Sequence, residues 1–138
     1  MAQLLEKAEL DEGQEKRLQR EFGREYQLIT RDDRLDRIAR DIVEHFTARG
    51  HLGKAMVVCI DKATAVKMYD KVQKYWKTNL RKLKKETEQA SDEMRDALLE
   101  RVRFAEETDM AVVVSQGQNE ISEMQKKGLD IKTHRKRM

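Results

Sequence analysis

The sequence contains no proline, so no position is barred from a helix interior for want of an amide hydrogen. It also has only one cysteine, Cys59, which excludes an internal disulfide. A single thiol is typical of a reducing compartment, and the predicted location is therefore cytoplasmic. No apolar stretch approaches the roughly 20 residues that a membrane span needs, and the charged N-terminus does not resemble a secretory signal. We expect no membrane partner.

Charged residues, in contrast to prolines and cysteines, are abundant. They make up 40% of the 138 residues, against 38% hydrophobic residues. The apolar residues are clustered, which argues against disorder and favours one small domain built largely from long helices with one solvated face. The 29 basic and 26 acidic residues leave a net charge of only +3, which does not by itself indicate nucleic-acid binding.

Two helices are predicted in the first third of the chain. The first covers residues 3–22 and ends at Gly23, and residues 1–29 are interpreted as a connector with this N-terminal helix. The second covers residues 31–49, where apolar side chains recur at helical spacing. Thr30 and Asp33 resemble a capping box at its start, and Gly50 is a plausible cap at its end.

The period then changes to short, unbroken apolar runs. Residues 55–60 and 110–114 each fit a strand that is buried on both faces, and the intervening chain is predicted to be helical from the cap residue Asp61 onwards. A break is expected near residues 89–92, with Ser91 starting the next helix. Strand, helix and strand form a βαβ crossover, so the predicted fold class is α/β with a small parallel sheet and long helices.

After the second run, residues 115–118 read as a turn, and a short helix is expected to stop at Gly128. The basic tail, residues 132–138, has almost no apolar content. It is interpreted either as a binder of phosphate backbone or as a solvated loose end.

Polar residues follow both predicted strands at the edge where open α/β sheets bind ligands. Lys62 and Thr64 follow the first strand, and Ser115 and Gln116 follow the second. They are candidate binding residues, with helix capping and ordinary solvation as the alternative. Nearby aromatic residues fit a base-stacking platform or, at helical spacing beside apolar neighbours, a core: Tyr69, Tyr75 and Trp76.

Other site types are rejected on residue pattern. The stretch 50–54 carries Gly50, Gly53 and Lys54, but it enters a strand and lacks the spacing of a phosphate-binding loop. The histidines His45, His51 and His134 are not paired at metal-ligand spacing. Cys59 lies in mid-strand, where an inert core thiol is expected.

Four segments in this order resemble a known family. They are FGREYQLITRDDRL (22–35), GKAMVVCIDKATAVKMYD (53–70), DMAVVVS (109–115) and GLDIK (128–132), the last followed by His134 and Arg135. Together they resemble the motor and nuclease subunit (the R subunit) of type I restriction enzymes. Such a subunit carries a nuclease domain, two RecA-like motor domains and a helical C-terminal region, and hydrolyses ATP to pull duplex DNA before cleaving it.

The resemblance implies that residues 30–138 are the N-terminal part of the second motor domain, a partial RecA-like domain of the P-loop NTPase type. Strand 55–60 would carry helicase motif IV, and the DNA track would be faced by Asp61, Lys62, Thr64, Ser115 and Gln116. The implied cofactors of the parent are ATP and Mg²⁺, and its partners are duplex DNA and the specificity and methyltransferase subunits. No catalytic, cofactor-binding or metal-binding residue is assigned within the chain, which is expected to be inactive alone. The alternative is a stand-alone helical interaction module that dimerises through residues 80–102.

Overall fold

A computed structural model describes residues 11–50 and 53–138 of the chain. These residues form six helices, whose bounds are α1 Glu12–Ile29, α2 Asp32–Ala48, α3 Lys62–Gln89, α4 Asp92–Glu107, α5 Glu120–Lys126 and α6 Ile131–Arg137. The chain divides into two compact units between Leu35 and Asp36. The predicted helical residues 3–10, and His51 and Leu52, lie outside the described residues.

The first unit contains α1, which begins at a complete capping box. The Asp11 side chain accepts a hydrogen bond from the Gln14 amide at 2.7 Å, and the Gln14 side chain accepts one from the Asp11 amide at 3.3 Å. The predicted end at Gly23 is wrong, because the helix continues to Ile29. Glycine inside a helix costs only roughly 0.5–1 kcal/mol, too little to end one.

The predicted capping box at Thr30 is also wrong. The Thr30 hydroxyl donates to the Tyr26 carbonyl at 2.7 Å, so Thr30 closes α1 and does not open α2. Asp33 instead accepts hydrogen bonds from the guanidinium of Arg31, at 2.9 Å from Nε. A residue between two helices can cap either one, and here the carbonyls at the end of α1 take the hydroxyl.

The second unit is organised around α3. Asp61 caps this helix, because its carboxylate accepts a hydrogen bond from the Thr64 amide at 2.7 Å, as predicted. The break near Ser91 is likewise confirmed, and α4 runs back along α3 as a helical hairpin. Cluster 2 joins the hairpin to α2 and consists of Val43, Trp76, Leu83, Val102 and Ala105.

Cluster 1 packs against the N-terminal end of α3. Its buried residues are Ala63, Val66, Val112, Met124, Leu129 and Ile131. The stop at Gly128 is confirmed, since this glycine has a φ of +72°, a left-handed conformation that glycine adopts without steric cost. The interpretation of the tail as a loose end is wrong: residues 131–137 form α6, with Ile131 and His134 buried.

The predicted α/β fold class, a partial RecA-like domain with a parallel sheet, is contradicted. Residues 55–60 and 110–114 are irregular, and no strand or sheet occurs among the described residues. Met56 is 86% exposed and Val113 83% exposed, so neither run is buried on both faces. Val112 is buried by packing of its side chain within cluster 1, without strand pairing. An isolated pair of short strands is marginal in water, which is the physical reason that two apolar runs do not make a sheet.

Candidate nucleic-acid interface

The C-terminal ends of the two predicted strands, residues 55–60 and 110–114, lie close together. Lys62 begins α3 two residues after the first of these segments, and Gly117 lies in the irregular stretch after the second. A Cβ atom built on Gly117 would lie 3.3 Å from the Lys62 ammonium nitrogen. The structure therefore brings the C-terminal ends of the two predicted strands to one place, although no sheet joins them.

An ion pair holds the irregular backbone of residues 114–117. Arg135 on α6 donates to both carboxylate oxygens of Glu120 on α5, at 2.5 and 2.8 Å. The same guanidinium donates to the carbonyls of Val114 at 2.9 Å and Ser115 at 2.7 Å. Glu120 also accepts a hydrogen bond from the Gly117 amide at 3.1 Å. One buried carboxylate and one arginine thus fix the backbone beside Lys62.

The same contacts shift the acidity of Glu120. The hydrogen bonds from Arg135 lower the pKa of this carboxyl group from 4.5 to about 2, and the Gly117 amide and the charges of Arg135 and Lys62 act in the same direction. Burial opposes the shift, because it disfavours the charged form. Glu120 is therefore ionised at neutral pH and paired with Arg135, and its salt bridge does not use the Lys62 ammonium group.

The four candidate binding residues differ in exposure. Ser115 and Gln116 are exposed, and Lys62 is partly exposed. Thr64 is only 5% exposed and lies in the first turn of α3, where its amide is used by the Asp61 cap. The structure thus places three of the four at an accessible surface, and Thr64 beneath it.

The sequence did not predict the pairing of Glu120 with Arg135, which stand 15 positions apart on two short helices. A weak signal was present: Ile131 and His134 are spaced by three residues, so one turn of helix buries both. Nothing in the pattern indicated that Arg135 reaches back to the residues before the turn.

The three aromatic residues Tyr69, Tyr75 and Trp76 pack inside the protein and do not form a base-stacking platform. Trp76 is buried in cluster 2 and its indole N–H donates to the Ala105 carbonyl at 2.9 Å. Tyr75 donates to the Asp36 carboxylate, and the Tyr69 ring packs edge-on to the His134 ring at 4.5 Å. None of the three rings is arranged as an open platform for stacking bases.

Metal and thiol chemistry find little support in the described part of the chain. No three His, Cys, Asp or Glu residues within it are grouped so as to hold a metal ion. Cys59 is a free thiol whose pKa is raised, first by burial and then by the charge of Asp61. A raised pKa keeps a thiol protonated and weakens it as a nucleophile.

No helix in the described ranges is long and apolar enough to cross a bilayer. Comparison with known proteins found no matching family model, no matching curated protein and no matching solved structure.

Proposed function

We propose that the chain is part of the DNA-translocating and DNA-cleaving subunit of a type I restriction enzyme, and that it contributes DNA contacts to the second motor domain. The observation that supports this proposal is the approach of Lys62 to Gly117, the residue that follows Ser115 and Gln116, at the ends of the two predicted strands. The ordered sequence segments that resemble the family supply the rest of the argument. The fold of the described residues does not support the proposal, because they form helices and no sheet, whereas a motor domain contains a sheet.

The chemistry of the surface suits a phosphate backbone. Lys62 provides a cation, and Gln116, the residue before Gly117, provides an exposed amide as a hydrogen-bond donor. Contacts of this kind to phosphate oxygens position a protein on duplex DNA without reading its sequence. A motor that moves along DNA of any sequence needs contacts of this type.

The remaining parts of the proposal follow the family. ATP and Mg²⁺ act in the parent subunit, whose partners are duplex DNA and the specificity and methyltransferase subunits, and the location is cytoplasmic. The chain alone has no ATPase or nuclease activity, because no residue in it is assigned to binding the phosphates of ATP or to cleavage.

The test is binding of the chain to fluorescently labelled duplex DNA over a range of salt concentrations. We expect the double variant Lys62→Ala, Gln116→Ala to bind less tightly and with a salt slope shallower by about 1, since one cationic contact is lost. The matched control is Gln125→Ala, Lys127→Ala, which removes the same residue types from an exposed part of α5 and its C-cap. Equal losses in both variants would contradict the proposal.

A second candidate function is a helical interaction module. The observation that favours it is apolar exposure on α4, where Met94 is 59% and Leu99 49% exposed. Against it, Leu83 and Val102 within the suggested dimerising segment are already buried in cluster 2. Sedimentation separates the two functions: a dimer that dissociates on Met94→Ser, Leu99→Ser would favour the module.

A further inference from the structure

The charged residues in the middle of α3 are all basic. Between Asp70 and Glu86 this helix carries seven basic residues and no acidic one: Lys71, Lys74, Lys77, Arg81, Lys82, Lys84 and Lys85. None of these seven residues is among the candidate binding residues at the predicted strand ends or among the buried residues of cluster 1 and cluster 2.

Four of the basic residues form a single exposed row, here called the α3 stripe: Lys74, Lys77, Arg81 and Lys85. Their spacing of three, four and four residues places them on one helix face. At a rise of about 1.5 Å per residue, the stripe is about 16 Å long. The other side of α3 holds the buried residues Trp76 and Leu83, so the stripe faces away from the core.

The stripe is poorly neutralised, whereas its basic neighbours are paired. Lys84 lies 2.5 Å from Glu106, and Lys82 lies 3.9 Å from Glu86. Within the stripe, only Lys74 has an acidic neighbour, Asp36, at 3.9 Å. In the described part of the chain no carboxylate lies within salt-bridge distance of Lys77, Arg81 or Lys85.

We propose that the α3 stripe is a second binding surface, which contacts the phosphate backbone of duplex DNA. This inference rests on the proposed function for the identity of the partner, but it uses residues separate from Lys62 and Gln116. A row about 16 Å long matches about five base pairs at about 3.4 Å each. Cations that lack protein partners gain most from phosphates, because binding releases the counterions condensed on DNA.

Duplex DNA suits the stripe better than a single strand. Proteins that bind single strands combine basic grooves with aromatic side chains on which bases stack. The aromatic residues of α3 are occupied elsewhere: Trp76 is in cluster 2, Tyr75 is bonded to Asp36, and Tyr69 packs on His134. The stripe itself offers charge without a stacking surface.

The test is the salt dependence of duplex binding by the triple variant Lys77→Gln, Arg81→Gln, Lys85→Gln. Three lost phosphate contacts should make the slope of log affinity against log salt shallower by about 2–3, and should weaken binding at least tenfold at 50 mM salt. Glutamine has a helix propensity close to that of lysine and arginine, so α3 should be retained, as circular dichroism would show. Lys77→Arg, Lys85→Arg, which keeps the charge, should bind like the wild type.

The control variant is Lys127→Gln, Lys132→Gln, Lys136→Gln, which removes the same charge from exposed positions near the C-terminus. The inference is overturned if this control loses as much affinity as the α3 variant, or if the α3 variant binds like the wild type. It is also overturned if the chain prefers single-stranded DNA.

The two sets of variants distinguish failure of this inference from failure of the proposed function. Loss of binding in the Lys62 and Gln116 variant but not in the α3 variant would overturn this inference and leave the proposed site standing. The reverse pattern would support the α3 stripe and contradict the proposed contact at the segment ends.

Discussion

Glu120 is a buried carboxylate whose lowered pKa is due chiefly to one partner, Arg135. Only 8% of its surface is exposed, and Arg135 donates to both of its carboxylate oxygens. Breaking such a pair from one side leaves the other charge partly buried and uncompensated, which is costly. The pair also fixes the Ser115 carbonyl and the Gly117 amide, so its loss should loosen the backbone beside Lys62.

The lowered pKa of Glu120 predicts a pH dependence of stability. Its folded pKa of about 2 lies below the ordinary value of 4.5, so the stabilisation is fully present above pH 4.5 and is lost as the pH falls towards 2. We expect Glu120→Gln to be less stable than the wild type at pH 7, with the difference shrinking between pH 4.5 and 2. Urea unfolding followed by the fluorescence of Trp76 would measure it, with the exposed Glu123→Gln as control. A difference that stays constant over this range would contradict the assignment.

Single residues differed in how well the sequence predicted them. Asp61 and Gly128 act locally, through a cap bond three residues away and through a backbone angle, and both were predicted correctly. The prediction for Thr30 was wrong about which helix it caps, although it does cap a helix. Its hydroxyl can serve either of the two helices that it joins, and it bonds to the end of α1. Arg135 could not be predicted, since its partners lie 15 to 21 positions away on other elements.

At the scale of elements, the α3–α4 hairpin supplies four of the five buried residues of cluster 2. Leu83 is 5% exposed and lies in cluster 2, opposite Val102 and Ala105. We expect Leu83→Ala to lower the free energy of unfolding by about 2–5 kcal/mol, because it removes buried methyl groups and leaves a cavity. Leu99→Ala on the same hairpin, at a position 49% exposed, should change it by no more than about 0.5 kcal/mol. Similar losses for the two variants in chemical denaturation would contradict this packing.

Helices were predicted better than strands for a physical reason. A helix satisfies its backbone hydrogen bonds within one segment, so the periodicity of α2 and the long α3 could be read directly from sequence. A strand needs a neighbouring strand, and the apolar runs at 55–60 and 110–114 do not pair in the structure. The candidate site was predicted in part, because the segment ends do approach each other, through packing of α5 and α6 in cluster 1 in place of a sheet.

At the scale of the whole molecule, the small net charge conceals a strong separation. α3 carries nine basic and three acidic residues, whereas α4 carries six acidic and three basic ones. The net charge of +3 is therefore a poor guide to binding, and the local basic surfaces decide whether a polyanion is attracted.

The most direct test of the account is the binding of the unmodified chain to a duplex of about 20 base pairs between 50 and 200 mM salt. Phosphate contacts by Lys62 and by the unpaired members of the α3 stripe predict measurable affinity at 50 mM salt. They also predict a log–log slope of about −3.6, since each contact contributes about −0.9. Absence of binding at 50 mM salt, or binding that does not change with salt, would contradict the proposal that this chain contacts DNA.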